Sequence, residues 1–320
     1  ESKVFQRFSA MQVHFGASAA RPSACALTIG NFDGVHRGHQ AMLACLRERA
    51  SARGLPTALL TFEPHPREVF ARGNPPARLA TLRDKVLSLK ATGLLDHLYV
   101  HRFTPAFAAL SAQDFIDQVL VAGLGAQYVL IGDDFQFGAR RLGNFSTLQA
   151  CPHFVTEAMP TISVHGERAS SSRIREALAA GDFAHAEALL GRHYQLTGRV
   201  MHGKKLGRTL GYPTANVHLP HRKPALAGIF VVEVDTAAGR FGGVASLGKN
   251  PTVDQGDDYK LEVHLFDFAG NLYGQLICVR FLAKLRDEQR FDSLAALTAQ
   301  IDADAAAARH HLSTLQRVSA

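Results

Sequence analysis

Residues 24–39 read ACALTIGNFDGVHRGH, in which an apolar run leads into a glycine-rich turn and two histidines. The apolar run predicts a buried strand, and the residues up to Gly54 predict a helix that begins near Gly38. The start of a helix directs N–H groups and a positive dipole end into the preceding turn. His36 and His39 are therefore candidates to bind an anion such as a phosphate group. The alternatives are that both histidines serve only the local structure, or that they bind zinc, for which the sequence offers no well-spaced third ligand.

Strand and helix patterns alternate through the first half of the chain. Strands are predicted at PTALLTF, LDHLYVHRF and AQYVLIG, and helices at TLRDKVLSLKATG and SAQDFIDQVLVAGLG, the latter capped by Ser111. Repeated strand–turn–helix units with continuously apolar strands predict a parallel sheet with helices on both faces. Such sheets bind ligands at the carboxyl ends of their strands. The segments TFEPHP and DDFQFG, which follow two of the strands, are therefore predicted at a ligand-binding edge.

The pattern changes in the second half of the chain. REALAAGDFAHAEALLGR predicts two short connecting helices, and short alternating strands follow at LTGRVM, GIFVVEV, FGGVASLG, KLEVHLFDF and LICVRFL. Their spacing predicts an antiparallel barrel. SLAALTAQIDADAAAARHHLSTL predicts an amphipathic helix that closes one side of the barrel. The sequence thus predicts an α/β domain at residues 1–188 and a barrel domain with a C-terminal helix at residues 189–320.

The composition is that of a globular protein, with 47% apolar and 20% charged residues in a chain of 320. A net charge of +7 indicates an anionic partner or a generally basic surface. Small polyphosphates fit this charge better than nucleic acid, because no basic block or basic–aromatic stripe occurs. No apolar run of 18 residues occurs, so no membrane span is predicted. Four well-separated cysteines in apolar settings predict reduced thiols in a cytoplasmic protein.

Residues 202–216 read HGKKLGRTLGYPTAN and form a second candidate phosphate loop. The segment combines glycines with basic residues, but it is not a P-loop, because no Gly-Lys-Ser/Thr precedes a helix. In an extended backbone Thr214 and Asn216 project from one face. A hydroxyl and an amide oxygen there can hold Mg2+ on the phosphates of ATP. The alternative is an ordinary Pro-Thr-Ala-Asn turn.

Glu262 is the candidate general base of the second half. In KLEVHLFDF the leucines and the valine alternate with Glu262 and His264, which places one carboxylate on the outer face of a barrel strand. Phosphoryl transfer from ATP to an alcohol needs positioning, a metal ion and an acceptor for the hydroxyl proton. Glu288 is the rival carboxylate, in an LRDEQRF segment that is predicted to be helical. The alternative for Glu262 is a solvent-facing strand charge.

The pattern G-x-F-D-x-x-H-x-G-H at residues 30–39 resembles the signature of Rossmann-like nucleotidylyltransferases, which transfer a nucleotidyl group and release pyrophosphate. Over about residues 23–309 the chain resembles the bifunctional bacterial riboflavin kinase/FMN adenylyltransferase (FAD synthetase) family. The resemblance is carried, in order, by TIGNFDGVHRGH, TFEPHP, IGDDFQFG, SSSRIREAL, GRVMHGKKLGRTLGYPTAN, GGVASLGKNPTV, LEVHLFDF, NLYG and LRDEQRFDSLAALTAQIDAD. It implies a Rossmann-like nucleotidylyltransferase domain followed by a riboflavin kinase barrel.

In the first domain the resemblance implies an adenylyltransferase site, with His36, His39 and Arg175 as catalytic residues. The implied ATP contacts are Gly30, Asn31, Phe32, Asp33, His36, His39, Ser171, Ser172 and Arg175. The implied flavin contacts are Phe62, His65, Phe70, Asp134 and Phe137. Ser172 stands where the family more often has Thr, and Asp134 stands where it often has Asn. Phe62 and Phe137 also fit ordinary core positions.

In the second domain the resemblance implies a kinase site with Glu262 as the base and with Thr214 and Asn216 as Mg2+ ligands. The implied ATP contacts are His202, Gly203, Lys204, Gly207 and Arg208. The implied flavin contacts are Arg286 and Glu288.

The resemblance implies two consecutive reactions. Riboflavin and ATP would give FMN and ADP in the barrel domain, and FMN with a second ATP would give FAD and pyrophosphate in the first domain, both with Mg2+. Two alternatives remain: an adenylyltransferase whose barrel only binds flavin, and a basic nucleic-acid-binding protein that uses the barrel as an oligonucleotide platform. No nucleic-acid or membrane partner is predicted. The oligomeric state is left open, with a monomer as one possibility.

Overall fold

The computed structural model describes residues 11–16, 24–70, 75–164, 166–202, 212–219, 223–249 and 259–318. Contacts divide the chain into two compact units, of which the first comprises Glu1–Pro76 and Lys85–Ala169. The second comprises Ala77–Asp84 and Ser170–Ala320, so it includes a short segment taken from within the first half of the chain. A domain boundary between residues 188 and 189 stays a prediction.

The described residues of the first unit form a parallel sheet of six strands, which confirms the predicted sheet. The strands are β1 (Gln12–Phe15), β2 (Cys25–Ile29), β3 (Thr57–Glu63), β4 (His97–Arg102), β5 (Ala126–Gly132) and β6 (Val155–Met159). They lie in the order β1-β4-β3-β2-β5-β6, which places β2 between β3 and β5. The sequence patterns miss β1 and β6, whose residues are only partly buried. A small hairpin of β7 (Ser163–Val164) and β8 (Glu167–Arg168) follows the sheet.

Helices connect these strands. They are α1 (Arg37–Ser51), α2 (Pro66–Phe70), α3 (Leu82–Thr92), α4 (Pro105–Ala108), α5 (Ala112–Asp114) and α6 (Phe145–Gln149). Ser111 caps α5 as predicted, because its side chain accepts a hydrogen bond from the N–H of Asp114. The chain then continues as a π-helix, Phe115–Val121, so the predicted helix is present with a wider turn than that of an α-helix. The wider turn brings Phe115, Ile116 and Leu120 to the buried side.

The second unit contains a closed antiparallel barrel, which confirms the predicted barrel. Its described strands are β9 (Tyr194–Met201), β10 (Ala215–His218), β11 (Gly228–Thr236), β12 (Gly239–Lys249), β13 (Tyr259–Leu265) and β14 (Leu276–Arg286). They follow the order β10-β13-β12-β11-β14-β9 around the barrel. Along β13, Leu261, Val263 and Leu265 are buried while Glu262 and His264 are half-exposed, as the alternating sequence predicts.

Three helices accompany the barrel in the described part of the second unit: α7 (Ser171–Ala180), α8 (Phe183–Leu190) and α9 (Leu294–Val318). α7 and α8 are the predicted pair of short helices, and each ends at a glycine in the left-handed conformation. α9 packs on the barrel as predicted, through Ala305 and Ala308, which contact Val231 and Phe266. Among the described helices, none is both long and apolar enough to cross a membrane.

The LRDEQRF segment is not helical, contrary to the prediction. β14 runs on to Arg286, which pairs with Ile229 of β11, and residues 287–291 continue without helix or strand. The Arg286 guanidinium donates to the Asp304 carboxylate of α9, from Nε to Oδ1 at 3.0 Å and to Oδ2 at 3.1 Å, and from Nη2 to Oδ2 at 2.7 Å. It also donates to the carbonyl of Asp287 at 3.0 Å. These contacts fasten the end of β14 to α9, which the local sequence pattern cannot indicate.

Asp96 joins three elements of the first unit just before β4. Its carboxylate accepts hydrogen bonds from Nη1 and Nη2 of Arg47 in α1, at 2.9 and 3.1 Å. The backbone N–H of Thr57, at the start of β3, donates to it at 2.8 Å. Burial by itself would raise the pKa of Asp96, but the bonds from Arg47 and Thr57 outweigh it and hold the pKa below its usual range.

Asp96→Asn is expected to lower the free energy of unfolding of the first unit by about 1–3 kcal/mol at pH 7, the usual contribution of charge-assisted hydrogen bonds. A carboxylate with a lowered pKa stabilises the fold above its unfolded pKa, and this stabilisation is lost as the pH falls through the folded pKa. The difference between wild type and variant should therefore shrink below about pH 4. Urea unfolding that is monitored by hydrogen exchange of amides in the first unit measures the free energy of unfolding at each pH and so tests both effects.

The control for this experiment is Glu48→Gln, because the Glu48 side chain is 74% exposed on the same helix as Arg47. It should change the free energy of unfolding by less than about 0.5 kcal/mol. An Asp96→Asn protein that is as stable as wild type at pH 7 would contradict the role assigned to Asp96.

Candidate active sites

Three loops of the first unit leave the same edge of the sheet. They follow β2, β3 and β5, which are neighbours at its centre, and they carry the GNFDG, EPHP and DDFQFG segments. Because the strands are parallel, their carboxyl ends share one edge. The chain goes from β2 to β3 on one side and later returns to β5 on the other, and open α/β sheets bind ligands at such a reversal.

The side chains of His36 and His39 cap the start of α1, and each accepts a hydrogen bond from the backbone N–H of the other residue. Nδ1 of His36 accepts from the N–H of His39 at 3.4 Å, and Nδ1 of His39 accepts from the N–H of His36 at 3.3 Å. The two rings are stacked with their centroids 3.6 Å apart. Because both Nδ1 atoms accept a hydrogen bond, each neutral ring carries its proton on Nε2. The capping alternative and the anion alternative are therefore compatible, since the cap fixes the tautomer that donates to an anion.

The turn before α1 has an unusual backbone. Phe32 and Val35 have positive φ angles of 47° and 44°, a region that residues with a Cβ rarely occupy. Asp33 is 2% exposed, and the ring of Phe32 stacks on His39 with a centroid separation of 4.4 Å. Oδ1 of Asn31 is buried without a hydrogen-bond partner among the described residues. Such strain and such an orphaned oxygen are typical of a functional turn.

Lys85 supports this turn, although the sequence patterns did not identify it. It lies in α3 with 1% of its surface exposed, and its Nζ donates to Oγ1 of Thr61 at 3.3 Å. Oγ1 of Thr61 in turn donates to the carbonyl of Asn31 at 3.2 Å. The available signal was its position four residues before the buried Leu89, on the apolar face of the helix. A buried ammonium group thus holds the GNFD turn through one hydroxyl.

Three of the predicted flavin contacts are largely buried. His65 is 7% exposed, and its Nδ1 accepts from the N–H of Arg67 at 3.1 Å, at the start of α2. Phe137 is 7% exposed in the core of the sheet, and Phe62 packs against the same core. The core alternative that the sequence left open for Phe62 and Phe137 is thus what their packing shows. Contact of these residues with flavin stays a prediction.

The other two predicted flavin contacts are exposed. Phe70 is 63% exposed at the end of α2, where its ring packs edge-on against Phe103 at 5.8 Å. Asp134 follows β5 and forms an ion pair with Arg168 at 2.5 Å. Their contact with flavin also stays a prediction.

Ser171, Ser172 and Arg175 lie in the first turns of α7, in the second compact unit. Ser170, and not one of the predicted serines, is the N-cap of this helix. Nε of Arg175 donates to the carbonyl of Ala77 at 2.5 Å, which fastens the 77–84 segment to α7. Their union with the histidine turn into one ATP clamp stays a prediction.

A cavity of about 360 Å³ opens between the barrel and α9 in the second unit. It brings together the described residues that the sequence predicts as metal ligands, base and flavin contacts of the kinase, namely Thr214, Asn216, Glu262, Arg286 and Glu288. Apolar side chains form one wall, from Ile229, Val244, Phe291, Leu297, Ile301 and Ala305. The cavity therefore combines an apolar wall with a polar floor.

The register of three strands builds that floor. Asn216 of β10 pairs with Glu262 of β13, and Glu262 pairs with Ser246 of β12. Oγ of Ser246 donates to Oε1 of Glu288 at 3.3 Å. The Glu288 carboxylate occupies the space in which a side chain at Gly248 would lie, so only glycine allows this approach.

Thr214 and Asn216 fit a magnesium site. Oδ1 of Asn216 is buried and has no hydrogen-bond partner among the described residues. Both side chains offer neutral oxygen ligands, which Mg2+ accepts when phosphate and water complete its shell. In the described part of the chain no three His, Cys, Asp or Glu residues group as metal ligands. An ion at Thr214 and Asn216 would therefore depend on the phosphates of a nucleotide.

Lys260 is a cavity residue that the sequence reasoning missed. Its Nζ contacts Oε1 of Glu262, and both side chains line the cavity. The signal was the Lys-x-Glu spacing on a strand, which puts the two side chains on one face. The predicted base is thus paired with a cation in the cavity.

A second cavity of about 320 Å³ lies beside the first and shares Thr214 with it. Pro213, Asn271 and Tyr273 also line this cavity. His202, a predicted ATP contact, stacks on Tyr273 with a centroid separation of 4.0 Å. The other predicted ATP contacts of the kinase lie outside the described residues: Gly203, Lys204, Gly207 and Arg208.

Known proteins resemble this chain over nearly its whole length. The FAD synthetase family model matches residues 18–173, and the riboflavin kinase family model matches residues 190–312. A protein named bifunctional riboflavin kinase/FMN adenylyltransferase from Pseudomonas fluorescens is 49% identical, over 93% of this chain and 97% of its own. Its namesake from Haemophilus influenzae is 47% identical, over 89% and 93%.

A solved structure also matches. A protein from Streptococcus pneumoniae named macrolide-efflux protein superposes with a TM-score of 0.77 at 30% identity, over 92% of this chain and 97% of its own. The two family models follow each other in the order of the two compact units. By these matches, the chain belongs to the bifunctional riboflavin kinase/FMN adenylyltransferase family.

Proposed function

We propose that the barrel unit phosphorylates riboflavin with ATP to give FMN and ADP, and that the sheet unit transfers AMP from a second ATP to FMN, which gives FAD and pyrophosphate. One observation carries the proposal: a single cavity gathers Thr214, Asn216 and Glu262 beside an apolar wall. A barrel that only bound flavin would need the wall but not this set of groups. The single-activity alternative is therefore disfavoured.

In the kinase step the isoalloxazine ring lies against the apolar wall between the barrel and α9. The carboxylate of Glu262 accepts the proton of the terminal ribityl hydroxyl as its oxygen bonds to the γ-phosphorus of ATP. The bond from that phosphorus to the β,γ-bridging oxygen breaks, and ADP leaves. Ser246 and Glu288, which are hydrogen-bonded to each other, are placed to hold polar groups of the flavin or its ribityl chain.

Thr214 and Asn216 would hold Mg2+ between the two cavities, because Thr214 lines both of them. When bound, the ion neutralises phosphate charge and orients the γ-phosphate. We place ATP in the smaller cavity, beside Tyr273 and the stacked His202. The phosphates of ATP in the second cavity then reach the flavin hydroxyl in the first cavity past Thr214, which lines both cavities.

In the adenylyl step a phosphate oxygen of FMN attacks the α-phosphorus of ATP, and pyrophosphate leaves. Charge accumulates on the phosphate oxygens, and the Nε2–H groups of His36 and His39 would donate to them. The positive end of α1 adds to this stabilisation, because the histidines cap that helix. Ser171, Ser172 and Arg175 would bind the remaining ATP oxygens.

A cytoplasmic location is part of the proposal. Cys25, Cys45, Cys151 and Cys278 are all free thiols. Burial raises the pKa of Cys25 to about 12, which makes this thiol a poor nucleophile. Free thiols suit a reducing compartment.

Glu262→Gln is expected to lower the rate of FMN formation from riboflavin and ATP at least about 100-fold, because the hydroxyl proton loses its acceptor. Conversion of supplied FMN into FAD should stay unchanged. Chromatographic separation of FMN and FAD measures both steps. Glu233→Gln is the matched control, since Glu233 is a strand carboxylate of the same barrel that pairs with Arg240. A Glu262→Gln protein that still forms FMN at the wild-type rate would remove Glu262 from the role of base.

His36→Asn separates capping from catalysis, because Asn is a favoured N-cap but lacks the distant ring nitrogen. The variant should fold normally and lose about 100-fold in FAD formation from FMN, the usual cost of one transition-state donor. FMN formation from riboflavin should be unaffected. His153→Asn, at an exposed position of the same unit, should leave both rates unchanged. Full FAD synthesis by His36→Asn would show that His36 acts only as a cap.

A further inference from the structure

We infer that Lys260 is a further catalytic residue of the kinase site. Its ammonium group contacts Glu262 in this structure and moves to the γ-phosphate of ATP during phosphoryl transfer. The Glu262 carboxylate is then able to accept the hydroxyl proton. This inference rests on the proposed kinase function of the barrel unit. Lys260 begins the KLEVHLFDF segment, but no role was predicted for it from the sequence.

Phosphoryl transfer requires positive charge beside the γ-phosphate. Negative charge spreads over the γ-phosphoryl oxygens in the transition state, and enzymes stabilise it with a cationic side chain in addition to the metal ion. The described residues that line the cavity include two permanent cations, Lys260 and Arg286. Within the described part of the chain, these two are the candidates for this role.

Arg286 is already paired with a buried carboxylate. Its guanidinium is bonded through Nε and Nη2 to the Asp304 carboxylate, and these side chains are only 17% and 9% exposed. Nε2 of Gln300 also donates to Asp304, at 2.9 Å. Moving Arg286 to a phosphate would leave a buried carboxylate without its cation, which is costly.

Lys260, in contrast, can exchange the Glu262 carboxylate for a phosphate group. The Lys260 and Glu262 side chains are 41% and 34% exposed, so water screens their attraction and the ion pair is weak. A polyphosphate carries more charge than one carboxylate and competes well for an ammonium group. Lysine also has a flexible stem with rotatable donors, which suits an exchange of this kind.

The position of the Lys260 ammonium group also suits this role. The reacting phosphorus must lie within about 3–5 Å of the carboxylate that accepts the hydroxyl proton. Because Nζ of Lys260 already contacts that carboxylate, a shift of a few ångströms brings it to the phosphoryl oxygens. The same shift frees Oε1 of Glu262 for the incoming proton. The Glu288 carboxylate lies over Gly248, the residue paired with Lys260.

The test compares Lys260→Met and Lys260→Arg in the full chain. Lys260→Met should lower kcat of FMN formation about 100-fold, with KM for riboflavin changed less than about 3-fold, because the lost contact exists only in the transition state. Lys260→Arg, which keeps the positive charge, should be at least about 10-fold faster than Lys260→Met. FAD formation from supplied FMN takes place at the other site and should be unchanged in both.

A binding measurement excludes a merely structural role. Wild type should bind ADP more tightly when aluminium fluoride is present as a mimic of the transferred phosphoryl group, and Lys260→Met should lose this gain while it keeps its affinity for ADP alone. The control is Lys284→Met, which removes a lysine–carboxylate pair of the same unit, at 2.6 Å from Asp287, outside the cavity. It should keep both kcat and the gain.

Three outcomes would overturn the inference while the kinase proposal stands. These are wild-type kcat in Lys260→Met, an Arg variant as slow as the Met variant, and equal loss of affinity for ADP with and without aluminium fluoride. If wild type itself forms no FMN, the proposed kinase function fails instead.

Discussion

The kinase cavity depends on the alternation of β13 and on the register with which β10 and β12 pair to it. Three apolar side chains of β13 must face the interior, and this forces Glu262 and His264 to the outer face. The register then sets Asn216 on one side of Glu262 and Ser246 on the other. A slip of one residue would bury the carboxylate and expose a leucine. The same hydrophobic burial that holds the barrel together therefore fixes the positions of the residues that we propose as metal ligand, base and flavin contact.

In the first unit, too, residues that the fold needs are the proposed site residues, here at the start of α1. A helix start must satisfy its N–H groups, and here two histidines do so through Nδ1. Protonation of Nδ1 would break the cap, so the fold keeps the rings in the form that donates from Nε2. Behind the turn, the buried ammonium group of Lys85 contacts Thr61, which holds the carbonyl of Asn31. In both units the proposed chemical roles fall on side chains whose positions the fold already fixes.

The sequence predicted the elements whose patterns are local. Apolar runs and alternation gave the central strands, the barrel and α9, and the motif loops were placed at the correct edge because parallel strands end together. Contacts between distant segments were not predictable. The Lys260–Glu262 pair could have been found from spacing alone, but the orphaned oxygen of Asn216 could not. The helical prediction for LRDEQRF, residues 285–291, failed because β14 continues to Arg286, which is held by Asp304, 18 residues away in the chain.

The central claim is that one chain carries two independent sites that act in succession. A mixing experiment tests it most directly: Glu262→Gln protein and His36→Asn protein are incubated with riboflavin, ATP and Mg2+, first separately and then together. The account predicts that neither variant alone produces FAD at a significant rate and that the mixture does, because FMN made by the intact kinase site of one protein reaches the intact adenylyltransferase site of the other. FAD formation from riboflavin by either variant alone at the wild-type rate, or none by the mixture although added FMN is converted, would contradict it.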